Sequence, residues 1–500
     1  MFAKVISSHV VGIDGLGVDV EVDINPIGLP VYLVVGLAEG AARESKERVR
    51  SALTNLDYRL FNHPVTVNLA PADIKKMGSH FDLPIAVGFI AAISNDLDIK
   101  DTLFLGELSL DGSLKGVSGV LCMCDWAKSA GLKRVVLPEA NAEEALLVEG
   151  IDIYPFKHLS EVISFLKGSV QPPPASRTDY YSDIPEYKED FSDVKGQFAA
   201  RRAAEIAAAG MHNIIMMGAP GSGKTMIARR IVSILPPMSI EEALLTTKVH
   251  SVAGLLMDRG SLIKTRPFMA PHHTASDVAI VGGGSKAMPG HVSLATNGVL
   301  FLDEVLEFNR SVLEVLRQPL EDRTVTIARA GRTAQYPAEF MLVAACNPCP
   351  CGYFGDRRKE CICSQLQVER YRARLSGPLM DRIDLHVRIP STDFSDLKSS
   401  KAGERSADIR SRVIAAHEAQ KARYMGMGVH FNSRMPEKML RHKVADAALN
   451  TLEGAMRKLS FSARAYGKTL RVARTIADLA MSEYVTEVHM AEAIQYRGLL

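Results

Sequence analysis

The sequence predicts an α/β fold with a helical C-terminal part, and three observations support this prediction. Strand-like and helix-like hydrophobic patterns alternate over residues 199–390, which is typical of a parallel sheet with crossover helices. A Pro-rich break at 168–176 separates this region from an N-terminal region with mixed α/β patterns of its own. From residue 407 onward the patterns are almost all helical.

Composition and charge exclude several classes of protein. The chain has 500 residues, of which 47% are apolar and 23% charged, so wholesale disorder, a collagen-like fibre and a small disulfide scaffold are excluded. The 59 basic and 57 acidic residues nearly balance. Residues 396–500 hold 18 Lys and Arg against 11 Asp and Glu. A surface that faces an anion and a solvated helical surface both fit this basic region.

The chain shows no pattern for export or membrane insertion. No N-terminal stretch combines a basic start, an apolar run and a small-residue cleavage site. The longest apolar stretch, 83–93, is shorter than the roughly 20 residues that span a bilayer. We therefore expect a cytoplasmic protein with no membrane partner.

Hydrophobic periodicity predicts the elements of the N-terminal region in order. The predicted strands are 18–24, 31–35, 65–69, 102–108 and 134–137, and the predicted helices are 41–52, 83–93 and 119–130. The expected domains are an N-terminal domain 1–168, a linker 169–189, a central domain 190–392 with a cysteine-rich loop 346–363, and a helical domain 393–500.

A phosphate-binding loop lies between a short apolar strand, 214–217, and a helical stretch, 226–235. Its glycines let backbone N–H groups surround phosphates, and the helix N-terminus adds partial positive charge. Lys224 would reach the β- and γ-phosphates of a nucleotide, and the Thr225 hydroxyl would ligate Mg²⁺. The predicted cofactor-binding residues are Gly218, Ala219, Pro220, Gly221, Ser222, Gly223, Lys224 and Thr225.

Two further strand ends complete the predicted site. Four apolar residues precede Asp303 and Glu304, which places both carboxylates at the end of a buried strand. Asp303 would hold Mg²⁺, and Glu304 would orient or deprotonate the attacking water. Another strand, 340–345, ends just before Asn347, which could contact the γ-phosphate or the water. Asn347 precedes a proline, so a plain turn is the alternative.

These three pieces, in this order and followed by helices, resemble an AAA+ ATPase. Longer motifs resemble the magnesium-chelatase-like branch and, within it, the ComM/YifB type, a family of competence-associated DNA helicases. The motifs are 190–197, 266–276, 298–304, 347–352, 376–385 and 470–479. The resemblance covers nearly the whole chain apart from the linker.

The resemblance implies a catalytic arrangement between subunits. Such ATPases act as hexameric rings with ATP and Mg²⁺ between neighbours. A neighbour would insert an arginine finger, for which Arg382 fits, although an ion pair with Asp381 or Asp384 is the alternative role. The helical lid should supply a sensor arginine within the same subunit, for which Arg464 fits and Arg471 is second. The implied function is an ATP-driven DNA motor, a branch-migration helicase for homologous recombination or natural transformation. A protein-remodelling or chelatase-type ATPase is the alternative.

Candidate DNA contacts lie in two insertions. Polar and apolar residues alternate over 324–335, which is typical of a β-hairpin. In the family that the chain resembles, such a hairpin projects into the pore of the ring. Arg329 and Arg332 near its tip could grip phosphates, as could Lys286 in the glycine-rich tip of the insertion 249–291. Plain exposed turn residues are the alternative for all three. No base-reading pattern is present, so we expect sequence-independent binding of single-stranded or branched DNA.

Two clusters invite a metal interpretation. Cys349, Cys351, Cys361 and Cys363 offer four thiols that suit a structural Zn²⁺, with free thiols as the alternative. For the pair His272-His273, we favour hydrogen bonding within the insertion 249–291 over metal binding.

Residues 1–168 resemble the proteolytic domain of Lon through 104–112 and 131–141. That protease uses a Ser–Lys pair. Here Asp82 stands about where the serine would fall, and 117–124, where the lysine would fall, contains no lysine. We therefore expect no peptidase activity, and a scaffold role and a DNA-contacting role both remain open. The resemblances together imply a Lon-protease-like α/β domain, a central AAA+ domain with a P-loop and parallel sheet, and a C-terminal helical lid.

Overall fold

The computed structural model describes residues 1–58, 63–72, 76–94, 96–176, 187–256, 262–329, 332–356, 358–375, 377–391, 403–459 and 461–497. Several features expected from the sequence fall partly or wholly outside these residues. They include the linker, through 177–186, the boundary at 392–393, the hairpin turn, 330–331, the insertion 249–291, through 257–261, the cysteine-rich loop, through 357, and the motif 376–385, through 376.

A seven-stranded mixed sheet organises the N-terminal region, in the order β3-β4-β2-β1-β5-β8-β9. Its strands are β1 (Phe2–Val11), β2 (Asp14–Ile24), β3 (Tyr32–Val35), β4 (Val65–Ala70), β5 (Thr102–Phe104), β8 (Arg134–Pro138) and β9 (Asp152–Phe156); β6 (Glu107–Leu108) and β7 (Leu114–Lys115) form a separate small ribbon. The helices are α1 (Glu39–Asn55), α2 (Asp82–Ile93), α3 (Val120–Ser129), α4 (Ala142–Ala145) and α5 (Leu159–Leu166).

Three features of this sheet differ from the sequence prediction, and one of them is the edge strand β9, which was not predicted. Strand β1 was not predicted, because the polar residues Ser7, Ser8 and His9 are buried and interrupt its hydrophobic alternation. The predicted strand 102–108 is broken at Gly106, whose carbonyl accepts a hydrogen bond from the N–H of Leu83. The chain therefore leaves the main sheet after β5 and forms β6.

A five-stranded parallel sheet organises the central region, in the order β11-β14-β17-β10-β18. Its strands are β10 (Ile214–Gly218), β11 (Phe268–Met269), β14 (Val299–Leu302), β17 (Met341–Cys346) and β18 (Leu385–Ile389). Two antiparallel hairpins lie outside it, formed by β12 (Gly282–Gly283) with β13 (Met288–Pro289) and by β15 (Thr324–Arg329) with β16 (Arg332–Pro337).

Helices cover this sheet and make up the C-terminal region. Those of the central region are α6 (Phe198–Gly210), α7 (Lys224–Ile234), α8 (Ile240–Val252), α9 (Asp277–Val281), α10 (His291–Leu294), α11 (Arg310–Val315), α12 (Arg317–Asp322), α13 (Gln365–Arg372) and α14 (Gly377–Met380). Those of the C-terminal region are α15 (Ser406–Arg423), α16 (Asp446–Leu459), α17 (Ala463–Leu479) and α18 (Glu487–Gln495). One hydrophobic cluster joins α6, α7 and the sheet to α15 and α17.

The N-terminal and central regions are in direct contact. Lys248 Nζ on α8 lies 2.6 Å from Asp125 Oδ2 on α3. The buried carboxylate of Glu144 accepts hydrogen bonds from the Ser251 hydroxyl and from the N–H of Leu121, at 2.8 Å from the latter. Ile13, in the turn between β1 and β2, packs on an apolar cluster of the central region. Among the described residues, no helix has both the length and the apolar character needed to cross a bilayer.

Candidate nucleotide-binding site

The phosphate loop follows a strand that is buried throughout, β10. Gly218 approaches β18 so closely that a Cβ atom there would lie 2.5 Å from the carbonyl oxygen of Ile389. Gly221 and Gly223 have φ angles of +74° and +89°, a region in which glycine avoids Cβ strain. Helix α7 begins at Lys224, so its unpaired first-turn N–H groups face the loop.

The ammonium group of Lys224 lies inside this loop. Its Nζ donates hydrogen bonds to the carbonyl oxygens of Gly218 at 2.7 Å and Ala219 at 2.9 Å, and to Asn347 Oδ1 at 3.3 Å. Burial lowers the pKa of Lys224, and the charge of Asp303 opposes this effect. A bound phosphate would offer the ammonium group an anionic acceptor in place of the carbonyls.

Thr225 and Asp303 are joined by a hydrogen bond of 2.7 Å from Thr225 Oγ1 to Asp303 Oδ2. Asp303 follows β14 and Asn347 follows β17, which pairs with both β14 and β10 in parallel. The structure therefore brings Lys224, Thr225, Asp303 and Asn347 together at the carboxyl edge of the sheet. Hydroxyl and carboxylate oxygens are the hard ligands that Mg²⁺ prefers, so Thr225 and Asp303 fit this ion.

Glu304 has a left-handed backbone, with φ of 49°. Its N–H donates a 3.0 Å hydrogen bond to Asp303 Oδ1, and its Oε2 lies 3.7 Å from Nδ1 of His273. The Glu304 side chain is about half exposed, at 54%. The side chain therefore remains accessible to water beside the predicted Mg²⁺ ligands.

The contact of His273 with Glu304 was not predicted from the sequence. The available signal was the pair His272-His273, whose two rings lie 4.1 Å apart. His272 Nδ1 lies 2.9 Å from Thr274 Oγ1, so this histidine is hydrogen-bonded within the insertion. Among the described residues, neither histidine belongs to a set of three or more side chains that could together hold a metal ion.

The four cysteines of the loop after Asn347 do converge. The Sγ atom of Cys349 lies 3.4 Å from that of Cys351 and 3.6 Å from that of Cys361, and all four Sγ atoms, including that of Cys363, lie within 4.8 Å of one another. This spacing and donor set fit a tetrahedral Zn²⁺. Cys346 lies in β17 outside this cluster, and burial raises the pKa of its thiol to about 12.

Comparison with known proteins places the chain in a family. Residues 20–141 match the family described as subunit ChlI of Mg-chelatase, 190–397 match magnesium chelatase, subunit ChlI, and 403–497 match its C-terminal part. Competence protein ComM of Haemophilus influenzae is 41% identical over 505 residues, covering 100% of this chain and 98% of that protein. The chain belongs to the magnesium-chelatase-like AAA+ proteins of the ComM/YifB type.

Two other relatives agree with this family and with the fold. The Escherichia coli protein YifB is 40% identical over 497 residues, covering 98% of this chain and 95% of that protein. The archaeal Lon protease of Methanocaldococcus jannaschii is 28% identical over 130 residues, which is 26% of this chain and 20% of the protease. The mixed α/β architecture, parallel sheet and helical C-terminal region fit a Lon-like AAA+ fold.

In this ComM/YifB-type chain, Arg382 and Arg464 line a cleft of 850 Å³ that is separate from the phosphate loop. Arg382 Nη1 donates a 2.7 Å hydrogen bond to the carbonyl oxygen of Pro378, and its Nη2 pairs with Glu321. Arg464 Nη1 lies 3.8 Å from Asp381 Oδ2. None of the described residues that line this cleft belongs to the phosphate loop 218–225.

The sequence analysis expects Arg464 near the nucleotide of its own subunit. The structure places this residue on α17, a helix whose Lys468 pairs with the buried Asp384 directly before β18. Arg471, the second candidate, lines the same cleft and donates hydrogen bonds to the carbonyl oxygen of Met435 at 3.0 and 3.1 Å.

The candidate DNA-binding residues lie on the two hairpins. Arg329 and Arg332 face each other in the register of β15 and β16, next to the turn. Their side chains, like residues 330–331, lie outside the described part of the chain. Lys286 is exposed between β12 and β13. The Tyr336 hydroxyl donates a 2.9 Å hydrogen bond to the carbonyl oxygen of Ala287, which joins the two hairpins.

Asp82, about where the Lon serine would fall, is completely buried. Its carboxylate accepts hydrogen bonds from the Ser45 hydroxyl at 2.6 Å and from Arg48 Nε at 2.5 Å. Burial raises the pKa of Asp82, and the hydrogen bonds from Arg48 and Ser45 oppose this rise. The carboxylate therefore joins α1 to α2.

Proposed function

We propose that the protein is an ATP-driven hexameric DNA motor, a branch-migration helicase that acts in homologous recombination or natural transformation. The observation that carries this proposal is the meeting of Lys224, Thr225, Asp303 and Asn347 at one sheet edge in a chain similar along its whole length to a competence protein. A motor of this kind would work in the cytoplasm, where DNA and ATP are both present.

The positions of the site residues support the roles that we propose for them. The loop N–H groups and Lys224 would hold the phosphates, and Thr225 and Asp303 would hold Mg²⁺, which neutralises developing phosphate charge when bound. Glu304 would orient and deprotonate the attacking water, since its half-exposed carboxylate stands beside Asp303. Asn347, already within 3.3 Å of Lys224 Nζ, would contact the γ-phosphate.

The separation of the cleft of Arg382 and Arg464 from the phosphate loop supports an active site that two subunits share. Arg382 and Arg464 lie together in a cleft to which the phosphate loop of the same chain does not contribute. We propose that both arginines act on the nucleotide held by a neighbouring subunit, so that each site is complete only in the ring. Arg382 would then exchange its exposed partner Glu321 for the γ-phosphate of the neighbour.

The remaining assignments belong to the same proposal. The proposed layout is a Lon-like domain without peptidase activity at 1–168, a linker at 169–189, an ATPase core at 190–392 and a lid at 393–500. Arg329, Arg332 and Lys286 would bind DNA phosphates independently of base sequence. The four-cysteine cluster would hold Zn²⁺.

The test is the steady-state ATPase rate with and without single-stranded and four-way-junction DNA, at one moderate salt concentration. We expect a several-fold stimulation by DNA, followed by branch migration of the junction. Lys224→Ala should abolish nucleotide binding. Glu304→Gln should bind ATP and hydrolyse it at least about 100-fold more slowly, because it loses the general base.

Another outcome of this test would favour a second function. The family match is to a magnesium chelatase subunit, so a protein-remodelling or chelatase-type ATPase is the other candidate. An active hexamer whose ATPase rate does not respond to either DNA would contradict the motor proposal and favour this candidate. Full turnover by Glu304→Gln would contradict the role given to Glu304.

A further inference from the structure

The four-cysteine cluster lies very close to the phosphate site along the chain. Asn347, whose Oδ1 contacts Lys224 Nζ at 3.3 Å, is followed by Pro348 and then by Cys349. The Sγ atom of Cys349 also accepts a 3.3 Å hydrogen bond from the N–H of Phe354, inside the cysteine loop. Only Pro348 separates Cys349 from Asn347, so a shift of Cys349 would change the position of Asn347.

A second contact joins the cysteine loop to the phosphate loop itself. Gly352, directly after Cys351, has φ of +87° and lies against Pro220. A Cβ atom at Gly352 would stand 2.6 Å from Cδ of Pro220, so no other side chain fits there without a shift. The conformation of the cysteine loop thus limits where the phosphate loop can lie.

The outer side of the cysteine loop is anchored by neighbouring elements. Arg372 Nε donates a 3.1 Å hydrogen bond to the carbonyl oxygen of Pro348, and its guanidinium lies 5.1 Å from the centre of the Phe354 ring. Arg388 donates a 3.2 Å hydrogen bond to the carbonyl oxygen of Gly355. The loop and the ends of β10 and β18 together line an open 600 Å³ cleft, to which Gly218 and Ala219 also contribute.

In the described part of the cysteine loop, the interior has little apolar packing. Cys351, Cys361 and Cys363 are all partly exposed, and Ile362 between the last two is 89% exposed. Four thiols within 4.8 Å of one another supply a zinc ligand set but little buried apolar surface. A loop of this kind needs the metal to hold one conformation.

We propose that Cys349, Cys351, Cys361 and Cys363 bind Zn²⁺ and that this ion sets the position of Asn347 and Pro220 at the phosphate site. This role depends on the proposed nucleotide binding at the phosphate loop. The zinc centre acts as a brace for the γ-phosphate end of the site, and its residues are positioning residues. Loss of the ion should slow hydrolysis more than it weakens nucleotide binding, since the backbone N–H groups of the loop remain.

The experiment uses the full chain purified without chelator, with zinc measured by elemental analysis. We expect about one Zn²⁺ per chain. Removal of zinc by a chelator should lower kcat at least about tenfold, because a misplacement of about 1 Å at a distance can cost about a hundredfold, and should change KM less than about threefold. Added Zn²⁺ should restore kcat.

Variants separate the brace from general stability. Cys361→Ser and Cys363→Ser should each lower the zinc content and kcat together, with circular dichroism and the melting temperature close to those of the parent. Cys124→Ala removes a buried thiol from α3, outside the cluster, and should keep both zinc and kcat.

Three outcomes would overturn the proposal. They are a zinc content below about 0.2 per chain, a zinc-free protein with unchanged kcat, and a zinc-free protein that has lost its fold as a whole. Failure of nucleotide binding to depend on Lys224 would instead overturn the proposed function, and it would leave the zinc content as measured.

Discussion

Glu304 combines a left-handed backbone with a histidine neighbour. A non-glycine residue with φ of 49° is uncommon and persists where the surroundings hold it, which is frequent at active sites. The side chain then points to the insertion, where His273 Nδ1 lies 3.7 Å from Oε2. His273 also presents its ring edge-on to Phe308, with 6.5 Å between the ring centres. The histidine therefore restricts the orientation of the carboxylate.

From this geometry we predict that His273→Ala lowers kcat by about three- to tenfold and leaves KM for ATP nearly unchanged. The reason is that the orientation of the base affects the energy of the transition state and does not affect the binding of ATP. Steady-state kinetics at several ATP concentrations would measure this. His272→Ala is the matched control, since His272 bonds to Thr274 and should have a smaller effect. A rise in kcat for His273→Ala would show that the histidine holds Glu304 in an unproductive orientation and would contradict the prediction.

At the scale of elements, Asp384 connects β18 to α17. It is almost completely buried, it accepts a 2.9 Å hydrogen bond from the N–H of Asn213, and it pairs with Lys468. Burial acts to raise the pKa of the Asp384 carboxyl, but Lys468 and His212 outweigh it and hold the pKa well below its ordinary range. The ion pair thus fixes the helix that carries Arg464.

We predict that Asp384→Asn lowers the free energy of unfolding by about 3 kcal/mol near pH 7, because Lys468 is left buried without its partner. The folded pKa of Asp384 is below the unfolded value, so its contribution is complete above about pH 5 and declines as the pH falls. The difference between the two proteins should therefore shrink in acid. Urea unfolding at two pH values would measure this.

The matched control for this prediction is Asp381→Asn, since Asp381 is 37% exposed and faces Arg464 at 3.8 Å. Its effect on stability should be below about 1 kcal/mol. Equal stabilities of Asp384→Asn and the parent at pH 7 would show that the pair does not hold α17.

The same scale explains what could be predicted from the sequence. The elements around the phosphate loop carry local signals, because a buried apolar strand, a glycine loop and a helix start follow one another directly. Their meeting with Asp303 and Asn347 follows from parallel strand order alone. Strand β1 carries buried polar residues and lacks this pattern. The contact of His273 with Glu304 and the position of Arg464 depend on packing between distant segments, for which one sequence offers no periodic signal.

For the whole molecule, Arg382 and Arg464 line a cleft to which the phosphate loop does not contribute. In the proposed ring, each subunit would therefore have two different functional sides. We predict that Lys224→Ala and Arg382→Ala are each inactive alone and regain part of the ATPase activity when their subunits are mixed. Some junctions then join an intact loop to an intact arginine.

The control mixture combines Lys224→Ala with Glu304→Gln, which damage the same side of the subunit and should not restore one another. Native mass spectrometry would first establish that subunits have exchanged. If exchanged hexamers of Lys224→Ala and Arg382→Ala stay inactive, the arginine does not act across the junction.

The β15–β16 hairpin is fastened at its base to the N-terminal region. A Cβ atom at Gly12 would lie 2.6 Å from the carbonyl oxygen of Gln335, and Ile13 packs on the apolar cluster that contains Ile327 and Tyr336. In the proposed motor, the hairpin would therefore not bend independently during a power stroke. It would move together with the β1–β2 turn as one rigid unit, or first detach from it. The stiffness of that unit would set the load against which the proposed motor can still move.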